Sequence, residues 1–341
     1  MPRASEPLSR LADRQVAIAA RLAVRECELR HGPAAPTASG ARASLGVIAL
    51  GKLGSSELGF GADLDLVFVY DEDGDTEGVD GRASASHAEH FTRAAQRTMR
   101  ILSQPDAEGT GWATDTRLRP SGSQGTLVVP FASFERYHRE SADAWERQAL
   151  TRARVLVADA PLRARLEKAI DDATASDRPL DRARVCELRA RSQRELANEA
   201  PHRYHVKLGH GAMLDVELVA QLGKLEARDP AMPRGTLACL AALHHRGVLA
   251  PGEAETLEAA WIFFRSVEQT LRLLSDQADP ILRPRSREGE HVARRLGLRA
   301  RDGRAEIEVL EATYRKHAER TRAVFERRIG PVGMRGPFGD A

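Results

Sequence analysis

Asp63 and Asp65 stand two residues apart in the run Asp-Leu-Asp-Leu-Val-Phe-Val-Tyr at 63–70. The run alternates with period two and reads as a strand, in which successive side chains point to opposite faces. Asp63, Asp65, Val67 and Val69 then share one face, and Leu64, Leu66, Phe68 and Tyr70 the other. Two carboxylates about 5 Å apart repel by roughly 3 kcal/mol at an effective dielectric near 20. A purely structural strand gains nothing from that, although an isolated Asp-x-Asp is also what a solvated edge strand carries. A divalent cation reverses the sign, because Mg²⁺ takes one or two carboxylates together with phosphate oxygens and water. A glycine-serine turn, Gly54-Ser55, lies a few residues upstream, where glycine lets backbone N–H groups approach a phosphate and the hydroxyl adds a donor. Asp115, in a later β segment, is a third acid able to join the cluster; its other reading is a surface ion pair with Arg117. Two metals held by Asp63, Asp65 and Asp115 would brace both the attacking and the leaving oxygen of an in-line displacement at phosphorus. Lys52, beside the glycine turn, and the guanidinium groups of Arg117 and Arg119 are candidate triphosphate partners, since guanidinium pairs with phosphate bidentately.

The elements that must position these residues follow from periodicity. Apolar positions at helical spacing predict an amphipathic helix over 8–30, followed by an Ala/Gly/Pro/Ser-rich linker at 33–44. Residues 45–50 read as a buried strand, and 51–61 as a glycine-rich connection around a short helical segment. An acidic loop at 71–81, a helix over 84–103, strands over 112–118 and 126–129, and helices over 131–140 and 144–157 complete this part. Beyond about residue 160 the pattern changes to charged amphipathic helices: 161–173, 181–199, 213–227, 235–247, 252–276, 288–298 and 303–328, with no clean strand. The expected organisation is an N-terminal helix and linker at 1–44, an α+β catalytic domain at 45–160, an all-helical bundle at 161–330 and a tail at 331–341.

Composition limits the alternatives. The 341 residues are 42% hydrophobic and 29% charged, enough for about two packed domains. The 51 basic residues, 46 Arg and 5 Lys, nearly cancel 49 acidic ones. A net charge of +2 argues against a nucleic-acid scaffold, which needs excess positive charge. No apolar run approaches a membrane span and no signal peptide is evident, so a cytoplasmic protein is expected. Three scattered cysteines exclude a disulfide framework or zinc ribbon and fit a reducing compartment. The pairs His87/His90 and His202/His205 have no acid or cysteine arranged as a zinc site and read as surface histidines. Neither a Gly-x-Ser-x-Gly nucleophile nor a P-loop occurs.

The segment from Gly51-Lys-Leu-Gly-Ser-Ser-Glu-Leu-Gly to Asp63-Leu-Asp65 resembles the catalytic signature of glutamine synthetase adenylyltransferases, in the DNA polymerase β-like nucleotidyltransferase superfamily. The resemblance continues through Asp115-Thr-Arg-Leu-Arg-Pro-Ser-Gly122, Gly125-Thr-Leu-Val128 and Ala144-Trp-Glu-Arg-Gln-Ala-Leu-Thr-Arg-Ala-Arg154. It returns in Lys207-Leu-Gly-His-Gly-Ala-Met-Leu-Asp-Val-Glu217, and spans residues 10–330 or so. It implies a polymerase β-like α+β domain with a small mixed sheet, followed by a helical bundle. The family's enzymes carry two nucleotidyltransferase halves, and this chain resembles the C-terminal, adenylylating one. The activity implied is Mg²⁺-dependent transfer of AMP from ATP to a tyrosine of glutamine synthetase, with two ions and release of pyrophosphate. The implied partners are glutamine synthetase and a PII-type nitrogen signal protein, with neither nucleic acid nor membrane. Two alternatives stay open: phosphorolytic removal of AMP from modified glutamine synthetase, and a non-catalytic module that binds it. Asp63, Asp65 and Asp115 are the implied metal ligands; Gly54, Ser55, Lys52, Arg117 and Arg119 the implied nucleotide contacts. Lys207, Asp215 and Glu217 either close the nucleotide site or cap and pair within the helical part.

Overall fold

A computed structural model of the protein describes residues 2–37, 40–79, 83–105, 109–274, 280–300 and 303–338. Parts of the expected 71–81 loop and 331–341 tail, and the last two residues of the expected 252–276 helix, lie outside them. The contacts divide into two compact units, one built from residues 3–176 and the other from 177–227 and 231–338.

In the first unit α1 (Pro2–His31) precedes β1 (Leu45–Ala49), a single turn α2 (Gly51–Gly54), β2 (Leu64–Tyr70) and α3 (His87–Ser103). Then follow β3 (Thr114–Asp115), β4 (Val128–Pro130), α4 (Phe131–Glu140), α5 (Ala144–Leu150), β5 (Arg154–Val157) and α6 (Ala160–Ala175). Strand β2 is central. It pairs antiparallel with β1, which pairs antiparallel with β5. Its other edge pairs parallel with β3 through Leu64 and Asp65, and with β4 from Phe68 to Tyr70. The alternation read in 63–70 is the sheet's two-sidedness. Leu64, Leu66, Phe68 and Tyr70 enter a core with Ala12, Val16, Ala23 of α1 and Phe91 of α3. Val67 and Val69 enter a second core with Phe134, Leu162, Leu166 and Ile170.

Three expectations about the extent of elements in this unit are corrected. The helix over 144–157 stops at Leu150, and Arg154-Val-Leu-Val157 is a strand. An Asp143/Glu146 capping box starts the helix, but the segment after it, with its two β-branched valines, is drawn onto β1, with Ile48 opposite Val155. The strand over 112–118 shrinks to two residues, because the Arg117 amide donates to Asp115 Oδ1 at 2.8 Å and turns the chain. The compact unit also runs past residue 160 to Ser176. The apolar stripe of α6, Leu162, Leu166, Ala169, Ile170 and Ala173, is buried beneath the sheet.

The second unit holds α7 (Arg182–Leu196), α8 (Met213–Ala227), α9 (Thr236–His245), α10 (Pro251–Leu274), α11 (Arg287–Arg295) and α12 (Glu306–Arg328). Between them β6 (Tyr204–His205) and β7 (Ile281–Leu282) pair antiparallel, a ribbon that no alternation announced. Helix α8 is buried nearly all round, from Met213 to Leu225, as a central bundle helix must be. Its Asp215 is fully enclosed, bonded to Arg189 Nε and lying 2.9 Å from Arg322 Nε. Of the readings open for Asp215, internal pairing is the one the structure shows. His87, His90 and His205 are buried rather than on the surface. Burial pushes the His90 imidazole down to about 4, His31, His87 and Arg93 adding to the effect. Cys27, Cys186 and Cys239 are free and buried. Among the described residues, no helix is long and apolar enough to cross a membrane.

Candidate metal and nucleotide site

Asp63, Asp65 and Asp115 converge at the end of β2. One carboxylate oxygen from each lies within 4.8 Å of the other two. The cause is register. Strands β2 and β3 pair with Asp65 directly opposite Asp115, and Leu64 N–H donates to Ala113 O at 2.8 Å. Asp63 then falls on the Asp65 side, two residues back along the chain. Like charges opposite one another destabilise a sheet, so this pairing adds a cross-strand repulsion to the one within β2. Asp63 is exposed and the other two are half-buried, which leaves the cluster reachable from solvent. Three hard carboxylates at this spacing are the donor set a divalent cation of the Mg²⁺ type takes.

Arg117 is a cationic neighbour of the cluster. Its Nε lies 3.0 and 2.9 Å from the two oxygens of Asp115, while the side chain stays 78% exposed. The guanidinium is held above its usual range, first by the hydrogen bond and charge of Asp115 and further by Asp63 and Asp65. Both readings of Asp115 therefore meet in one place, as an ion-pair partner of Arg117 and as a member of the acid cluster. Arg119 is placed differently. Its donors reach Thr116 O at 2.8 Å, Thr126 O at 3.1 Å and Gly125 O at 3.1 Å, so it laces the 116–126 loop together.

The glycine-serine turn lies against the acids, and a residue outside the expected set makes it fit. Gly51 has φ +51°, and a β-carbon there would fall 1.9 Å from Asp65 Oδ2. Only glycine allows both the backbone conformation and this approach. Leu50 N–H donates to Asp65 O at 2.9 Å and ties the turn to β2. Gly54 is needed for packing, since a β-carbon would meet Arg152 O at 2.2 Å. The Gly54 and Ser55 amides donate to Leu50 O and Gly51 O, and the Ser55 hydroxyl lies 2.9 Å from Glu57 Oε2. In this conformation these donors serve the turn itself. Lys52 lies within the same turn, half-buried.

Three further residues brace the turn from outside. Arg154 Nη2 donates to Leu53 O at 2.9 Å, and Asp13 of α1 grips the same guanidinium at 2.7 and 2.9 Å. Ser9 Oγ accepts Leu58 N–H at 3.2 Å. Arg154 stood in a quoted motif, but a helical reading hid its direction; Asp13 and Ser9 carried no signal, because their partners are some 50 to 140 residues away.

Residues 2–169 match the family described as glutamate-ammonia ligase adenylyltransferase, and residues 181–329 the family described as GlnD PII-uridylyltransferase. The bifunctional glutamine synthetase adenylyltransferase/adenylyl-removing enzyme of Brucella suis biovar 1 (strain 1330) is 34% identical over 339 residues, covering 96% of this chain and 32% of that protein. The protein of the same description from Vibrio parahaemolyticus serotype O3:K6 is 33% identical over 291 residues, 83% of this chain and 30% of its own. That from Mesorhizobium japonicum is 35% identical over 275 residues, 80% and 27% respectively. The chain thus spans about a third of the length of the curated relatives it matches.

Proposed function

Because the chain belongs to the glutamate-ammonia ligase adenylyltransferase family, we propose that it transfers AMP from ATP to a tyrosine of glutamine synthetase and releases pyrophosphate. The observation that carries this reading is the convergence of Asp63, Asp65 and Asp115 within 4.8 Å beside a glycine turn that touches Asp65. The trio would hold Mg²⁺, as two ions, which when bound supplies charge neutralisation at the phosphates and lowers the pKa of the attacking hydroxyl. Asp65 is kept in place by the Gly51 contact and Asp115 by its register with β2. Lys52 and Arg117 neutralise the triphosphate and the departing pyrophosphate, Arg117 being exposed and already beside the acids. Gly54, Ser55 and Arg119 shape the two loops that border the nucleotide. The α+β sheet with carboxylates on its central strand supports placement in the polymerase β-like superfamily. A cytoplasmic location, a PII-type regulator of the helical unit and the absence of a nucleic-acid or membrane partner belong to the same reading.

Incubation of the chain with glutamine synthetase, Mg²⁺ and ATP labelled at the α-phosphate tests it. Label on a synthetase tyrosine is the expected result. ADP release from AMP-modified synthetase and phosphate, without forward labelling, would assign the removing direction instead. Neither product, with a competent relative as control, would leave the non-catalytic binding module.

A further inference from the structure

Helix α1 has two apolar stripes, and only one is used. Ala12, Val16, Ala19, Ala20, Ala23 and Cys27 are buried against the sheet. Leu11, Ile18, Leu22 and Leu29 are 50, 50, 52 and 62% exposed. Four of the nine large hydrophobic side chains exposed among the described residues therefore lie on one helix. Their spacing of seven, four and seven keeps them within an arc of about 40° along about 27 Å of helix. With Gln15 and Arg25 the row has the alternating four-three spacing of a coiled-coil seam. Four aligned aliphatic side chains are a helix-packing surface rather than scattered exposed leucines.

The charges beside the seam indicate what covers it. Arg10, Arg14 and Arg21 line one flank and Arg25 sits in the seam beside it, all exposed. Glu6 and Glu28 pair with Arg10 and Arg25 at 3.5 and 3.4 Å, leaving the flank two positive charges in excess. A second copy docked antiparallel would set this flank against itself, like charge against like. We propose that the seam receives an amphipathic helix of another polypeptide whose flanking positions are acidic.

A fluorescein-labelled synthetic helix of leucine heptads with Glu at the flanking positions, and the same peptide with Lys there, are the probes, read by anisotropy against the full chain. The Glu peptide is expected to bind at least tenfold more tightly than the Lys peptide, and to weaken between 50 and 500 mM NaCl. The double variant Ile18→Glu/Leu22→Glu should weaken it at least tenfold while the thermal melt stays unchanged. If that variant melts early, Leu11→Gln/Leu29→Gln is expected to give the same loss. Equal affinity for both peptides, no binding, or binding that neither double variant weakens would overturn the proposal. Sedimentation equilibrium should show a monomer; self-association abolished by Ile18→Glu/Leu22→Glu would assign the seam to a second copy and also overturn it. None of these readouts depends on AMP transfer, so failure here is distinct from failure of the catalytic reading.

Discussion

In the α/β unit three carboxylates gather at a sheet edge that solvent can reach; in the helical unit one carboxylate, Asp215, is enclosed between the guanidinium groups of Arg189 and Arg322. The first group is like-charged, and the exposed Arg117 pairs with its Asp115. The second is oppositely charged and is integrated into the bundle: Arg322 Nη2 donates to Gln193 Oε1 at 2.7 Å and Arg189 Nη2 to Gly209 O at 2.5 Å. Burial also raises the nearby Glu199 carboxyl, although it accepts the amides of His205 and His210. Under the proposed function, repulsion kept open to solvent would be relieved by bound cations. Attraction sealed from solvent fixes the arrangement of helices. Both sit beside glycine-containing turns, Gly51 and Gly209, so the turn alone does not separate the proposed reaction site from a structural one.

This contrast can be broken from either side. Asp215→Ala leaves two buried guanidinium groups without their counter-charge and should cost about 3–5 kcal/mol of stability, read by urea unfolding. An unchanged midpoint would mean the pair is not the bundle's anchor. Asp65→Asn should do the reverse: AMP transfer falls about 10³-fold, equivalent to about 4 kcal/mol of barrier, while the melting temperature holds or rises because a repulsion has gone. A variant that loses stability and keeps activity would invert the comparison. Gly51→Ala is intermediate. Its φ of +51° and the overlap with Asp65 Oδ2 predict a stability loss of about 1–3 kcal/mol. A carboxylate displaced by about 1 Å should also lower transfer about 10²-fold, read as kcat with KM measured separately.

A smaller effect comes from histidine. In the α/β unit burial alone pushes the His138 imidazole down to about 4, and its ring packs edge-on against Phe134 at 4.5 Å. A folded-state value below the unfolded one means that unfolding takes up a proton between pH 6.5 and 4. His138 therefore supports the fold fully above about pH 6.5, and that contribution, at most about 3 kcal/mol, is lost as pH falls towards 4. In the helical unit His210 is also lowered to about 4, mainly by burial, with Arg322 and Arg189 lowering it further against an opposing Asp215. His138→Phe should flatten the acid limb of the stability curve without touching the His210 contribution. Urea midpoints at pH 7 and 4.5 for His138→Phe, His210→Phe and the double variant would separate the two units.

Local patterns were legible where one stretch of chain carried its own reason. The alternation of 63–70 yielded β2 and the partition of its side chains between two cores, and helix 131–140 was read with its observed ends. Asp63 and Asp65 were legible as a pair for the same reason, since two residues of one strand cannot avoid sharing a face. Residues 154–157 were misread because their two valines settle into a strand only when β1 lies beside them. The buried histidines were misread because nothing nearby in sequence says what covers them.

By itself, then, the amino-acid order determined the chemical inventory of this protein: acids two apart on a strand, a glycine turn before them, arginines after them, and helices to follow. Tertiary structure alone decided that Asp115 faces Asp65, that Gly51 is where backbone meets carboxylate, and that Arg154 and Asp13 brace the turn. It also decided that Asp215, which the sequence left open between two roles, pairs inside the bundle. The physical reason is one of range. Strand alternation and helical periodicity act within a few residues, whereas register, close backbone approach and charge pairing join residues from about 14 to 140 positions apart, and they exist only once the cores have closed.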